Sequence, residues 1–327
     1  MIPLTNLAFD MRAPSFGAPI ADLYAAALDM CAYADEIGFQ AIGLMEHHGS
    51  DDNYLPAPFV LGGGVAARTD RATIRLGAVL LPLHDPVKVA EQIAVLDIMS
   101  GGRLKVVLGA GYVPSEFAMF GASLRDRGKA LDKGIDIILR ALRGESFTVD
   151  DRPIRVTPLP MQKPEDILYA GGGVAASARR AARFGIGFAP MGPGLLELYD
   201  AECAKLGRAP GKKRTAGLPL SIHVSDDPAR DWPKMVPHAL HVCQSYSAWS
   251  KASGDGVSPF DKLDSLEALQ ASGMFVVWSP EETIEKGRAM MAEGRPLSFM
   301  PLLGGMAPAM GWRSMRLVGD KVLPHLR

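Results

Sequence analysis

The segment Glu46-His47-His48 carries side chains suited to acid–base chemistry, and it directly follows a short apolar run. A histidine can act near neutral pH as an acid, a base or a hydrogen-bond donor. A carboxylate beside it can fix its tautomer or change its pKa. The same residues would also suit a polar strand end with solvated histidines, so the segment alone leaves both interpretations open.

The glycine run Gly171-Gly172-Gly173 is suited to binding an anion through the backbone. It stands between an apolar run and a predicted helix that has Ser177 in its first turns. Glycines let backbone N–H groups approach a ligand closely, and a helix N-terminus favours negative charge. A phosphate is the natural guest, although a flexible turn would have the same composition. The spacing matches neither a P-loop nor a Rossmann fingerprint.

Three further segments could border a ligand. Gly109-Ala110-Gly111-Tyr112 offers small residues that leave room for a flat ring, and Gly304-Gly305 can be interpreted in the same way. Arg127 and Lys129 open a predicted helix and could reach a phosphate, although such charges are usually only solvated. No metal site is predicted, because adjacent histidines rarely converge on one ion and no third ligand with clear spacing is evident.

Strand-like and helix-like segments alternate along the chain, which is typical of a parallel α/β fold. The predicted strands are residues 4–11, 40–45, 74–81, 103–108, 167–170, 187–189, 218–224 and 297–303. The predicted helices are 19–37, 58–68, 86–99, 127–142, 175–184, 194–206, 233–246, one after 279–282, and 312–326. Eight strand–helix pairs favour a closed (β/α)8 TIM barrel over an open sheet. In such a barrel the chemistry lies where strands end, which is where the segments described above begin.

We expect one domain over residues 1–327, with a hairpin-like insertion at about 144–163 and a larger one at about 231–294. A net charge of −1 gives no electrostatic support for binding nucleic acid or an anionic membrane. Cys31, Cys203 and Cys243 form no CxxC pair, which fits a reducing cytoplasm. Because we find no signal peptide and no apolar stretch of ~20 residues, we expect a soluble protein.

The ordered set of segments resembles the bacterial-luciferase-like monooxygenases. The likeness runs from the first strand to about residue 190 and returns weakly near 279–282 and 304–305. It is carried by Glu46-His47-His48, Pro82 to Val87, Ala90-Glu91-Gln92, Leu96-Asp97, Ser100 to Arg103, Gly109 to Tyr112, Glu116-Phe117, Phe120-Gly121, Gly171 to Gly173 and Ala181 to Gly185.

This resemblance implies a flavin-dependent oxidoreductase. The cofactor would be reduced FMN supplied by a separate flavin reductase or, in some branches, a deazaflavin coenzyme. The protein would usually be a dimer packed through its early helices. In the luciferase branch the first histidine of the segment serves catalysis, which corresponds to His47 here, and we assign Glu46 as its orienting partner.

The resemblance also implies the cofactor contacts. The phosphate loop after the fifth strand corresponds to Gly171, Gly172, Gly173, Val174 and Ser177. The basic residue at the head of the fourth helix corresponds to Lys129 or, with a small shift, Arg127. The flavin ring would lie near Ala78 in the third strand and near Gly109, Ala110 and Gly111 after the fourth.

The chain departs from the luciferase α-chain at two places. Gly109 and Ala110 replace a reactive cysteine and a neighbouring arginine, so one phosphate contact is lost and light emission is not expected. Gly173 and Val174 replace a glutamate and a serine in the phosphate loop.

The predicted function is oxygenation of an unknown, apolar organic substrate. Deazaflavin-dependent hydride transfer and non-catalytic flavin binding are the alternatives. A metal-dependent barrel hydrolase is a more distant one.

Overall fold

Parallel strands alternate with helices throughout the computed structural model, which describes residues 4–213, 217–254 and 258–326. The strands are β1 (Thr5–Phe9), β2 (Ala41–Leu44), β3 (Thr73–Leu80), β4 (Leu104–Gly109), β5 (Phe147–Val149), β6 (Arg152–Ile154), β7 (Leu168–Gly172), β8 (Gly187–Pro190), β9 (Ser221–Val224), β10 (Phe275–Trp278) and β11 (Leu297–Phe299). Strands β4 and β8 are buried along nearly their whole length, whereas β1 and β3 largely alternate between buried and half-buried residues.

Helices follow most of the strands. They are α1 (Ile20–Glu36), α2 (Pro58–Ala66), α3 (Pro86–Met99), α4 (Pro114–Met119), α5 (Arg127–Leu142), α6 (Pro164–Ile167), α7 (Ala175–Phe184), α8 (Leu195–Lys205), α9 (Pro228–Ser253), α10 (Leu266–Ser272), α11 (Pro280–Ala292), α12 (Pro308–Leu317) and α13 (Leu323–Leu326). Several begin with proline at the first turn, where its missing N–H costs nothing. Asp85 caps α3, because its side chain accepts hydrogen bonds from the N–H groups of Val87 and Lys88.

Seven strands form one parallel sheet in the order β11-β1-β2-β3-β4-β7-β8. Strands β9 and β10 pair with each other in a separate two-stranded parallel sheet. The two sheets meet where the N–H of Met300, just after β11, donates to the hydroxyl of Ser221 in β9 at 3.1 Å. All the strands of the large sheet run in one direction, so their carboxyl ends share one edge, and the residues that follow them gather there.

The antiparallel hairpin of β5 and β6 lies within the 144–163 segment, where an insertion was predicted. The region 231–294 contains most of α9 together with α10, β10 and α11. The three cysteines are unpaired and buried. Within the described residues, no helix is both long enough and apolar enough to cross a bilayer.

Several element boundaries differ from the sequence prediction. Helix α9 begins at Pro228 rather than near 233, because Asp227 caps it and Pro228 occupies its first turn, while Pro233 and Pro237 lie inside it. The strand predicted at 297–303 ends at Phe299, and the strand predicted from 218 begins at Ser221. The short elements α4, α10 and β10 were not predicted, because runs of so few residues show little periodicity.

Candidate active site

A cluster of polar side chains, all buried except the half-buried His84, lies at the carboxyl ends of β1 to β4. Its members follow different strands: Arg12 follows β1, Glu46 and His47 follow β2, His84 follows β3, and Glu116 belongs to α4 after β4. Because the strands are parallel, these ends meet on one side of the sheet, as they do in barrel enzymes. The sequence separation of these residues therefore hides their proximity.

The carboxyl group of Glu116 orients His47. The Nδ1 of His47 donates to Oε1 of Glu116 at 2.8 Å, and the backbone N–H of His48 donates to the same oxygen at 2.8 Å. With its proton on Nδ1, the imidazole has Nε2 free as an acceptor. Oε2 of Glu116 is buried and has no hydrogen-bond partner among the described residues. This pair can hold a base in one tautomer and one orientation.

The prediction that Glu46 orients His47 is wrong. Oε1 of Glu46 accepts from Nε2 of His48 at 2.7 Å and from Nε2 of His84 at 2.5 Å, while Oε2 accepts from the N–H of Leu80 at 3.0 Å. Successive residues of an extended segment point in opposite directions, so Glu46 and His48 share one side and His47 faces the other. Glu46 thus joins the ends of β2 and β3.

Hydrogen bonds from two histidines stabilise the ionised form of the buried Glu46 carboxyl group. Burial raises the pKa of Glu46, but hydrogen bonds from His48 and His84 outweigh burial and hold the pKa below its usual range. The ligand-capable atoms of Glu46, His48 and His84 all lie within 4.8 Å of one another. A third ligand beside Glu46 and His48 was not predicted from the sequence, because His84 lies far from them in the chain and entered only as part of the family likeness. The prediction that the protein holds no metal remains a prediction.

Aromatic rings enclose the other side of His47. Its ring centroid lies 4.8 Å from Tyr54, 6.1 Å from Tyr112, 5.9 Å from Tyr246 and 4.4 Å from Trp249. Burial raises the pKa of the Tyr54, Tyr112 and Tyr246 hydroxyls, so these groups stay protonated. The enclosure therefore offers apolar faces, neutral hydroxyls and one imidazole.

A second charged group adjoins this enclosure. The Nη1 of Arg12 donates to Asp52, and Nε2 of His241 donates to the same carboxyl oxygen at 2.7 Å. Burial raises the pKa of Asp52, but the hydrogen bond from His241 and the charge of Arg12 outweigh it, so the pKa lies well below its usual range. Burial raises the pKa of Asp10, and the nearby Arg12 only partly opposes this.

The residues predicted to border the flavin ring lie beside this cluster. Ala78 occupies an irregularity between β3 and β4, and the Gly77–Ala78 peptide is cis. A methyl group at Gly109 would lie 2.9 Å from the Cβ of Ala78, so the two predicted residues are direct neighbours. Gly111 has a φ of 68° and faces Phe117, whereas Ala110 packs against the core. Because Ala78, Gly109, Ala110 and Gly111 have no side chain larger than a methyl group, few atoms project from the backbone at this surface.

The predicted phosphate loop lies at the end of β7 and the start of α7. Gly172 has a φ of 145°, and a methyl group there would lie 3.0 Å from the Ser177 side chain. The hydroxyl of Ser177 donates to the carbonyl of Val174 at 2.5 Å. A methyl group at Gly171 would lie 2.6 Å from Val107, whereas one at Gly173 would meet nothing closer than Met191 at 3.8 Å. A methyl group at Gly173 would therefore fit in ordinary van der Waals contact with Met191, whereas one at Gly171 would not fit.

Lys129 is not held against that loop. Its side chain is 90% exposed, and its amine lies 3.7 Å from Asp126 one turn earlier. The head of α5 approaches α7 through Arg180, whose guanidinium donates to the carbonyl of Gly128 at 3.4 Å. A role for Lys129 in binding phosphate therefore stays a prediction, and it would require the flexible side chain to turn.

Sequence reasoning missed most of the side chains around His47. It gave no role to Arg12, Asp52, Tyr54, Glu116, Tyr246 or Trp249. One signal could have found Arg12, since it directly follows the first predicted strand, whereas Glu116 lies eight residues beyond the fourth. Tyr246 and Trp249 belong to a long helix and carry no comparable signal.

The chain matches the model of the family described as luciferase-like monooxygenase over residues 9–296. It is 25% identical to a limonene 1,2-monooxygenase of Rhodococcus erythropolis over 321 residues, covering 91% of this chain and 80% of that protein. Several other curated relatives match over about half of their own length or less.

Solved structures have the same fold. The monooxygenase RslO1 of Streptomyces bottropensis has a TM-score of 0.79 at 25% identity, and each chain is fully covered. The oxygenating constituent of 3,6-diketocamphane monooxygenase of Pseudomonas putida, solved with FMN, has a TM-score of 0.70 at 18% identity and 99% coverage of both chains. An F420-dependent secondary alcohol dehydrogenase has a TM-score of 0.70 at 17% identity and full coverage.

Proposed function

The chain belongs to the luciferase-like monooxygenase family, and from this premise we propose that it oxygenates a small, largely apolar organic substrate with reduced FMN and molecular oxygen. The observation that carries the proposal is the buried His47–Glu116 pair at 2.8 Å, whose free imidazole nitrogen faces an aromatic enclosure. Such an enclosure can hold an apolar molecule, exclude water and supply one group that exchanges protons.

The residues around the glycine loop fit an FMN phosphate. The first N–H groups of a helix lack partners in the preceding turn and favour an anion. In the first turn of α7, the N–H of Ser177 donates to the carbonyl of Val174 at 3.0 Å, which leaves the earlier N–H groups for the phosphate. Gly171, Gly172, Gly173 and Val174 would bind the phosphate through the backbone, with Ser177 fixing the shape of the turn. The flat flavin ring would lie against the backbone at Ala78, Gly109, Ala110 and Gly111, where no side chain is larger than a methyl group.

Bound reduced flavin supplies the electrons that activate oxygen, and the protein controls protons and water around it. His47 would hold or deliver a proton at Nε2, while Glu116 keeps Nδ1 protonated and the ring fixed. Tyr54, Tyr246 and Trp249 would exclude water from the reacting atoms. Glu46 supports this arrangement by joining the ends of β2 and β3 rather than by touching His47.

The finer architecture belongs to the same proposal. We propose that the seven-stranded sheet and β9 close into a single-domain (β/α)8 barrel, for which the contact between Met300 and Ser221 is the available support. We also propose a homodimer packed through α2 and α3, because Val60, Val95, Ile98 and Met99 leave apolar side chains exposed there. A cytoplasmic location and a separate flavin reductase complete the proposal.

The test is an anaerobic titration of the purified protein with oxidised FMN, reduced FMN and the deazaflavin coenzyme. The proposal predicts the tightest binding for reduced FMN and, once a substrate is found, transfer of one ¹⁸O atom from ¹⁸O₂ into the product. Preferred binding of the deazaflavin without oxygen uptake would favour hydride transfer instead. Binding of FMN with no turnover of any substrate offered would favour a non-catalytic flavin-binding protein.

A further inference from the structure

Arg12 is a buried cation with unused hydrogen-bond donors. None of its side chain is exposed, yet Nε and Nη2 have no hydrogen-bond partner among the described residues. Asp52 accepts a hydrogen bond only from Nη1. The carboxyl oxygen of Asp10 lies 3.6 Å from Nε, which is an ion-pair distance rather than a hydrogen-bond distance. Buried donors without acceptors are rare in folded proteins. These two nitrogens therefore indicate a missing acceptor.

The free donors belong to the same enclosure as His47. The guanidinium carbon of Arg12 lies 4.5 Å from the ring centre of Tyr54, 5.2 Å from Tyr246 and 5.0 Å from Trp249. These three rings also pack against His47 at 4.4–5.9 Å. An acceptor bound to Arg12 would thus hold the rest of its molecule among these rings and next to the imidazole.

Tyr246 does not satisfy the guanidinium. Its hydroxyl exchanges a hydrogen bond with the Tyr54 hydroxyl at 2.9 Å. The charge of Arg12 and a side-chain hydrogen bond between Arg12 and Tyr246 oppose the rise in the Tyr246 pKa that burial causes, but Nε and Nη2 still have no hydrogen-bond partner among the described residues. The requirement for an acceptor therefore remains.

The charge balance selects the kind of acceptor. Arg12 carries one positive charge and already faces two carboxyl groups, Asp10 and Asp52, while His241 contacts Asp52 from outside. A ligand carboxylate in this buried space would be repelled by Asp52, whose low pKa keeps it ionised and which is already paired with Arg12. A neutral oxygen acceptor meets the free N–H groups without adding charge, and a carbonyl oxygen is the simplest such group.

We infer that Arg12 is a specificity-determining residue, whose free N–H groups bind the carbonyl oxygen of a neutral, ring-containing apolar substrate. This inference rests on the proposed function, because it names the substrate class of the same pocket. The aromatic rings contact the apolar body of the substrate, and Arg12 fixes which end of it lies beside His47.

The test uses three probes of nearly equal shape, acetophenone, ethylbenzene and benzoate, with flavin-free full-length protein. Binding is followed by tryptophan fluorescence and by saturation-transfer NMR. We expect acetophenone to bind at least about tenfold more tightly than either other probe, because only it offers a neutral acceptor to a charged donor. Equal binding of the three, preference for benzoate or no binding of acetophenone overturns the inference. Since no flavin or turnover is involved, failure here is distinct from failure of FMN binding or oxygenation.

Two variants test whether the preference for acetophenone depends on Arg12. The double variant Arg12→Met/Asp52→Asn removes one charge of each sign, and it should lose the tenfold preference while still binding ethylbenzene. Arg140→Met is the matched control, because Arg140 also lies over an aromatic ring, that of Phe147, on the exterior at 3.9 Å. A preference that survives in the double variant contradicts the inference.

If the double variant does not fold, wild-type protein still decides the question. The Nε–H resonance of Arg12 should shift on adding acetophenone and stay in place on adding ethylbenzene. If neither probe shifts the Arg12 resonance, the inference is overturned.

Discussion

The end of β2 and the end of β7 both belong to the proposed site, yet they are built in opposite ways. After β2, the polar groups are buried side chains that hydrogen-bond to residues following other strands, as in the pairs His47–Glu116 and Glu46–His84. After β7, the groups proposed to bind the ligand are backbone N–H groups, and a Cβ at Gly173 would meet no atom closer than Met191 at 3.8 Å.

Because of this difference, the two regions should be sensitive to different kinds of substitution. A side-chain cluster fails when a group is removed, because the buried partner loses its hydrogen bond. A backbone loop fails when a group is added, because the new atoms occupy the space of the ligand. Turnover should therefore depend on the first region and cofactor affinity on the second.

The largest effect is expected for His47→Ala. Removing the imidazole that the rings of Tyr54, Tyr246 and Trp249 surround should lower coupled turnover by ~10²–10⁴-fold, the usual contribution of a positioned proton-transfer group. The FMN dissociation constant should change little, because the phosphate is held elsewhere. Product and hydrogen peroxide measured together would check this.

His48→Ala is the comparison for His47→Ala, because His48 points toward Glu46 and not into the enclosure. It should lower thermal stability more than turnover. If His47→Ala equals the parent in rate and coupling, the catalytic assignment is wrong.

The next effect distinguishes the two carboxyl groups. Glu116→Gln should slow turnover by roughly 10²-fold, at the low end of the range for proton-transfer groups, because the amide holds the imidazole less firmly. Glu46→Gln should instead lower the free energy of unfolding by ~1–3 kcal/mol, because two histidines lose a charged acceptor. Steady-state rates and urea denaturation of both variants provide the test. A greater loss of turnover in Glu46→Gln would restore the original assignment of Glu46.

A smaller effect is expected in the glycine loop. Gly173→Val should weaken FMN binding by ~1–3 kcal/mol, because its side chain would block backbone donors from the phosphate. The flavin-free protein should keep its stability, since a Cβ at 173 meets only Met191 at 3.8 Å.

Gly171→Ala is the contrasting variant, because its Cβ would lie 2.6 Å from Val107 and something must shift. We expect it to lower the melting temperature. An unchanged FMN dissociation constant for Gly173→Val would count against the loop as the phosphate site.

The smallest effect is expected for Lys129→Ala. The amine is almost fully exposed and lies near Asp126, so its loss should change FMN affinity by no more than ~0.5 kcal/mol, the usual range for surface changes. The affinity change should shrink further at high salt. A tenfold loss of affinity would mean that Lys129 turns to contact the phosphate.

The sequence alone predicted the parallel α/β alternation, because both its periodicity and its helix-start signals are local. It also placed Glu46-His47-His48 and the glycine run at strand ends, and the structure has them after β2 and at the end of β7. Their roles in catalysis and phosphate binding stay predictions. It could not identify the partner of His47, because Glu116 reaches it from helix α4 after a different strand, whereas Glu46 is the neighbour in the chain. It missed the enclosure for a related reason: Tyr246 and Trp249 come from α9, whose packing over the strand ends is a tertiary property.

The most direct test of the account compares His47→Ala and Gly173→Val in one experiment, which measures the dissociation constant of reduced FMN and the product-forming rate at saturating FMN. The account predicts opposite defects. His47→Ala should bind FMN like the parent and turn over slowly, whereas Gly173→Val should bind FMN weakly and turn over near the parental rate once saturated. If both variants lose the same quantity, the division between a side-chain cluster for catalysis and a backbone loop for the cofactor is contradicted.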